Sequence, residues 1–179
     1  MSVLNAIYSE HLFDLAKNKK NEVFFNSSFE HAKVVHQALA KYAEKYIDIY
    51  SRSLCSEISN NQEYCQSIQR FLESSQENQI KIILTDYDAA EFKEKPIAKI
   101  LANFPNQVYI KSYNGEVRYK GNPVNFTVTA DRAFRLETDI ENYKAFGNFN
   151  SPEQATVLRE NFDKLFNSDV LTQPINWIA

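Results

Sequence analysis

Polar residues with the means to hold an anion are concentrated between Pro123 and Phe166. Asn125 and Thr127 alternate with apolar neighbours, Asp131 and Arg132 follow at a turn, Arg135 and Glu137 repeat the two-residue spacing, and Asn148 and Asn150 come after Gly147. Residues two apart share one face of a strand, so this spacing predicts two strands, each presenting a polar pair. Guanidinium forks and side-chain amides are donors suited to phosphate or carboxylate oxygens. Arg132, Arg135, Asn148 and Asn150 are therefore expected to converge near strand ends, with Asn125, Thr127, Asp131 and Glu137 completing a ligand-binding set. The plainer reading of Arg135 and Glu137 is an ion pair across strands or within the turn, worth about 0–1 kcal/mol where exposed.

Other candidate chemistry is sparse. His31-Ala-Lys33 has His-x-Lys spacing, but its surroundings are helical, and residues two apart on a helix point roughly 200° from one another. Arg52 and the hydroxyls of Ser51 to Ser56 lie just beyond a strand, where α/β sheets meet their ligands. Asp86, Asp88 and Glu91 suit either a magnesium site or the cap of the next helix. His11 and His36 are the remaining imidazoles. Nucleophile-elbow, phosphate-loop, dinucleotide and zinc-protease motifs are all missing. The reading is no catalytic residue, no metal and no cofactor.

These residues need a frame. Helices are expected over 5–17, 29–45 with Ser28 as its N-cap, 60–74 and up to Phe104 with an interruption at Pro96. Short β-rich runs predict strands at 22–25, 46–50, 80–85, 108–113, 125–130, 133–137 and 143–149. Asn114-Gly115 predicts a tight hairpin with 116–120 returning. Ser151-Pro-Glu-Gln154 has the composition of a capping box with proline at the first helical position, and the helix it starts should run to Phe166. Strands alternating with helices, then a strand-rich section, then a closing helix, describe one α/β domain. Its sheet should be mixed and mostly parallel, with helices on both faces. The domain is read as residues 1–169, with 170–179 as a tail whose Trp177 either packs back or docks a protein partner.

Bulk properties limit the function. The 179 residues suffice for one core, and with 44% hydrophobic residues, three glycines and five prolines there is little room for long linkers. The net charge of −3 argues against a strongly basic nucleic-acid binder but leaves local basic grooves open. Two cysteines without Cys-x-x-Cys spacing point to free thiols in a reducing compartment. No signal peptide or membrane-length apolar run is seen. The default is a cytoplasmic protein with no membrane contact.

The order of elements and the Pro123–Phe166 stretch resemble the phospholipase D-like fold in its single-motif branch. That family carries His-x-Lys on one strand, an Asp after it, and Gly-Ser-x-Asn on a later strand; the His is the nucleophile, and the Lys and Asn bind phosphate. Asn125 stands where the His belongs, Thr127 where the Lys belongs, and Asp131 lies near the Asp spacing. Gly147-Asn-Phe-Asn150 keeps the Gly and the final Asn, and Arg135 and Glu137 follow the turn as in divergent members. The resemblance implies a degenerate site, a homodimer, and a ligand that contains phosphate. An amide and a hydroxyl cannot replace a nucleophilic imidazole and a phosphate-binding ammonium, so hydrolysis by the family route is expected to be absent. The functional expectation is a non-catalytic binding or regulatory domain. The alternative is a phosphodiesterase or nuclease acting on nucleic acid through metal-bound carboxylates or through His11 or His36.

Overall fold

The computed structural model describes residues 3–177. Among them, eight strands form one sheet in the order β1-β9-β8-β7-β2-β3-β4-β10. The central strands are β2 (Tyr46–Ser51), β3 (Gln79–Leu84) and β4 (Val108–Tyr113), paired in parallel. The antiparallel flank is β7 (Asn125–Thr129), β8 (Ala133–Asp139), β9 (Lys144–Asn148) and β1 (Val23–Asn26). β10 (Thr172–Pro174) closes the far edge against β4. The sheet is mixed, as expected, and its parallel pairing is confined to β2, β3 and β4.

Helices cover both faces. On one face lie α1 (Val3–Lys17), α2 (Phe29–Lys41), α3 (Glu57–Asn60), α4 (Gln62–Ser74), α5 (Ala89–Glu94) and α6 (Pro96–Leu101). On the other lies α7 (Pro152–Phe166), packed on Phe126, Phe134 and Val128. The expected caps at Ser28 and Asp88 form, accepting from the backbone N–H of His31 (3.2 Å) and Glu91 (2.9 Å). Asn61 does the same for α4 through Tyr64 N–H (2.9 Å). Pro96 divides the helix before Phe104 into α5 and α6 because it cannot donate into the preceding turn.

Three expectations are corrected. Residues 116–120 do not return along β4, because both edges of β4 are taken by β3 and β10. Instead β5 (Arg118–Tyr119) and β6 (Asn122–Pro123) make a separate two-stranded ribbon. Ser151 starts α7 without a side-chain cap bond; its N–H donates to the Arg132 carbonyl at 2.7 Å, tying the helix start to the β7–β8 turn. The segment after α7 is no tail: Thr172 is fully buried in β10, and Trp177 is 6% exposed in the core beside Ile110 and Leu72. Of the two alternatives for Trp177, the structure shows the packed one. Residues 178 and 179 lie outside the described residues.

Candidate functional site

The register of the hairpin builds the site. Asn125 is opposite Glu137, and Thr127 is opposite Arg135. Thr127 is also opposite Ile49 of β2, which lies in the core under α4. All four polar side chains therefore stand on the face covered by α1 to α6. Gly147 of β9 is opposite both Arg135 and Phe24. A side chain at Gly147 would overlap the Phe134 carbonyl and the Phe24 ring, so glycine leaves the space that the Phe24 ring occupies.

These residues line a cleft of about 330 Å³ at the carboxyl end of β2. Its floor is Asn125, Thr127, Arg135 and Glu137; its walls are Ser51, Arg52 and Ser53 after β2, His36 of α2, Ser59 and Tyr64 of α3 and α4, and Glu141 and Tyr143 after β8. Asp86, beyond β3, sits at the margin. The loop after β2, expected to face a ligand, lines this cleft with Ser51, Arg52 and Ser53.

A chain of buried polar bonds holds the floor. Arg135 is 2% exposed and Glu137 is 6% exposed. Arg135 Nη2 donates to Glu137 Oε1 at 2.6 Å, and Arg135 Nε donates to Asn26 Oδ1 at 3.2 Å. Asn26 donates in turn to the Tyr143 carbonyl. Asn125 donates to Glu137 Oε2 at 2.7 Å and accepts from the backbone N–H of Arg52 at 3.0 Å. Both carboxylate oxygens of Glu137 are thus occupied. The pair lies within one strand and is enclosed. It differs in kind from the exposed pair considered above: losing one partner of a buried pair strands a charge in low dielectric. Asn125 is a strut that fixes Glu137 to the β2 loop.

His36 is half-buried in the wall and its ring meets Tyr64 edge-on, with centroids 5.8 Å apart. Burial, reinforced by the Arg135 charge, holds its pKa well below the usual imidazole value. The ring is therefore neutral at pH 7, with one nitrogen donating and the other accepting. Burial likewise pushes the Tyr64 phenol upward.

The other expected site residues do not join this cleft. Asp131 and Arg132 lie at the opposite end of β7, roughly 17 Å away by the rise of the intervening strand. Ala130 and Asp131 both take positive φ (54° each) in that turn, where Asp131 binds Tyr46 and Arg159, and Arg132 donates to Glu44 at 3.0 Å. Asn148 pairs with Phe134 and so stands on the α7 face, donating to Asn21 at 2.8 Å. Asn150 donates its backbone N–H to Asn148 Oδ1 at 2.8 Å. The expected convergence of Arg132, Asn148 and Asn150 with Arg135 is absent: Arg132 lies at the far strand end, Asn148 is one residue past Gly147 and so on the other face, and Asn150 lies beyond β9. Of the carboxylates weighed for a metal, Asp88 caps α5 and Glu91 pairs with Lys95 at 3.0 Å. Among the described residues, no group of three His, Cys, Asp or Glu is placed to hold a metal ion.

His11 pairs with Glu22 at 3.2 Å and His31 stacks on Tyr8 at 3.8 Å, which leaves His36 as the imidazole that reaches the cleft. Asn26 was not anticipated. Its only signal is a lone amide closing the apolar run Val23-Phe-Phe25.

The family described as "Domain of unknown function (DUF7931)" matches residues 28–171. The chain belongs to this family. No curated protein matches the sequence. Among solved structures, it is similar to TrmBL2, an archaeal chromatin protein described as having a novel mode of DNA binding, with a TM-score of 0.61 and 11% identity. That match covers 95% of this chain and 62% of TrmBL2, so the chain spans less than two thirds of that protein. It is similar to NUC, a phospholipase D family member from Salmonella typhimurium, with a TM-score of 0.55 and 13% identity over 87% of this chain and 99% of the other. Phosphatidylserine synthase from Haemophilus influenzae Rd KW20 gives 0.52 and 14% over 86% and 39%. At these identities the likeness is one of fold. The fold of this DUF7931 domain is phospholipase D-like.

Proposed function

We propose that this DUF7931 domain is a binding or regulatory module that holds a small ligand in the cleft over Arg135 and carries out no covalent phosphoryl transfer. The observation that supports this most is the composition of the floor. Transfer through a phospho-enzyme needs a nucleophilic imidazole, a second group to protonate the leaving oxygen, and cationic charge for the phosphate. The strand positions that resemble His-x-Lys carry Asn125 and Thr127. Among the described residues no lysine lines the cleft, and the guanidinium at its centre is already matched by Glu137. What the cleft does offer is a set of polar groups over a floor in which Arg135, Glu137, Asn26 and Asn125 hold one another by hydrogen bonds, which suits recognition.

A phosphodiesterase or nuclease reading is favoured by one observation, the neutral imidazole of His36 at the cleft wall. Incubation with bis(p-nitrophenyl) phosphate, and with single- and double-stranded DNA with and without Mg²⁺ or Mn²⁺, separates the two. A binding module releases no nitrophenol and leaves the DNA intact. Turnover that disappears in His36→Ala would establish the enzyme reading instead.

A further inference from the structure

Side chains that line the cleft without a partner in the protein describe what its ligand must supply. Among the described residues, the hydroxyls of Ser59, Tyr64 and Thr127, both ring nitrogens of His36 and Nη1 of Arg135 make no hydrogen bond to protein. Four of these five side chains belong to residues more than nine-tenths buried: Ser59 is 5% exposed, Tyr64 4%, Thr127 5% and Arg135 2%. None of these atoms is sealed from solvent, the sealed and unpartnered side-chain atoms among the described residues being Tyr87 Oη and Arg159 Nε; they come from β7, β8, α2, α3 and α4 and open on one space, where water or a ligand must meet them. Hydroxyls both donate and accept, a neutral imidazole does one of each, and only the guanidinium is purely a donor.

The charges narrow the ligand further. Arg52 and Arg135 face Asp86, Glu137 and Glu141, which leaves the lining with one net negative charge. Both guanidiniums are already paired, Arg135 with Glu137 at 2.6 Å and Arg52 with Glu141 at 3.2 Å. A phosphate dianion entering here would meet three carboxylates and no cation without a carboxylate partner. A ligand hydroxyl meets groups that can accept from it or donate to it in any combination. The cleft volume, about 330 Å³, lies at the small end of the range for small-molecule sites.

We infer that the cleft binds an uncharged, hydroxyl-rich small molecule of the sugar or cyclitol type and discriminates against its phosphorylated counterpart. This rests on the cleft being the ligand site, and it replaces the phosphate-containing ligand implied by the family resemblance.

The test is thermal shift and calorimetry on the full chain with two probe sets: ribose, glucose and myo-inositol, and inorganic phosphate and ribose 5-phosphate. At least one neutral probe is expected to raise Tm by about 5 °C or more at a hundredfold excess over its Kd. Ribose is expected to bind at least about tenfold more tightly than ribose 5-phosphate, the factor that corresponds to one lost hydrogen bond. Thr127→Val and Tyr64→Phe should each weaken the bound neutral probe by about tenfold while the free protein keeps its Tm, since neither hydroxyl bonds to the protein. Tighter binding of phosphate or ribose 5-phosphate would overturn the inference and leave the binding module standing. Neutral binding that is insensitive to both substitutions would overturn it as well. No shift with any of the five probes would remove the cleft as a ligand site and the proposed function with it.

Discussion

Asp48 gives the sharpest prediction about stability. It stands on the α7 face of β2, opposite Lys81 in the register of β3 and 3.7 Å from Arg159 Nε of α7, and it is 2% exposed. Burial pushes its pKa up to about 7; Lys81 and Arg159 pull the other way, while Asp163 and Asp131 add to the rise. The folded state therefore binds a proton that the unfolded chain has already released between about pH 4 and pH 7. Stability from this group falls as pH climbs through that window and is flat above it. A displacement of about 3 pH units corresponds to about 4 kcal/mol, an upper figure for one carboxyl. Asp48→Asn removes the titration and keeps the shape. Urea denaturation of both proteins at pH 4.5, 6 and 8 reads the difference, which cancels the opposite contribution of carboxylates held low, such as Glu44 and Asp131. The variant should match the wild type near pH 4.5 and exceed it by up to about 4 kcal/mol at pH 8. Parallel profiles, or a variant less stable at pH 8, would mean that Lys81 and Arg159 fully compensate an ionised Asp48, and the reasoning would be wrong.

Further outcomes follow from the cleft. Arg135→Met should cost about 3–5 kcal/mol by leaving Glu137 buried without its cation, and Arg135→Met with Glu137→Leu should recover much of that loss; chemical denaturation of the two variants measures the difference. Gly147→Ala should destabilise by about 1–3 kcal/mol, since the new methyl overlaps the Phe134 carbonyl and the Phe24 ring, and its Tm should fall accordingly. The His36 ring should titrate well below the ordinary imidazole midpoint, read from its ring signals in an NMR pH titration; a midpoint near the ordinary imidazole value would mean that the wall is open to solvent.

How much of this was legible in the sequence depends on how local each signal was. The strands β7 and β8 and their polar pairs follow from two-residue alternation, and the sharing of a face by Asn125, Thr127, Arg135 and Glu137 comes with it. The caps at Ser28 and Asp88 were visible because they are contained within a single helical turn. Asn148 was misplaced because Gly147, not Asn148, keeps the register with Arg135. The Asn114-Gly115 turn signal was real as composition, but tertiary pairing had claimed both edges of β4. The burial of Arg135 could not be read from its neighbours, since it depends on Asn26 and Gly147, distant in sequence. His36 was noted as one of several imidazoles, yet its place in the cleft depends on how α2 packs against the sheet and α4.

The central claim is that the cleft binds without forming a bond to phosphorus. Intact-mass spectrometry of the protein, quenched in acid-free denaturant during incubation with bis(p-nitrophenyl) phosphate, addresses it most directly. The account predicts an unmodified chain at every time point. A phosphoryl adduct that maps to His36 and is lost in His36→Ala would contradict it.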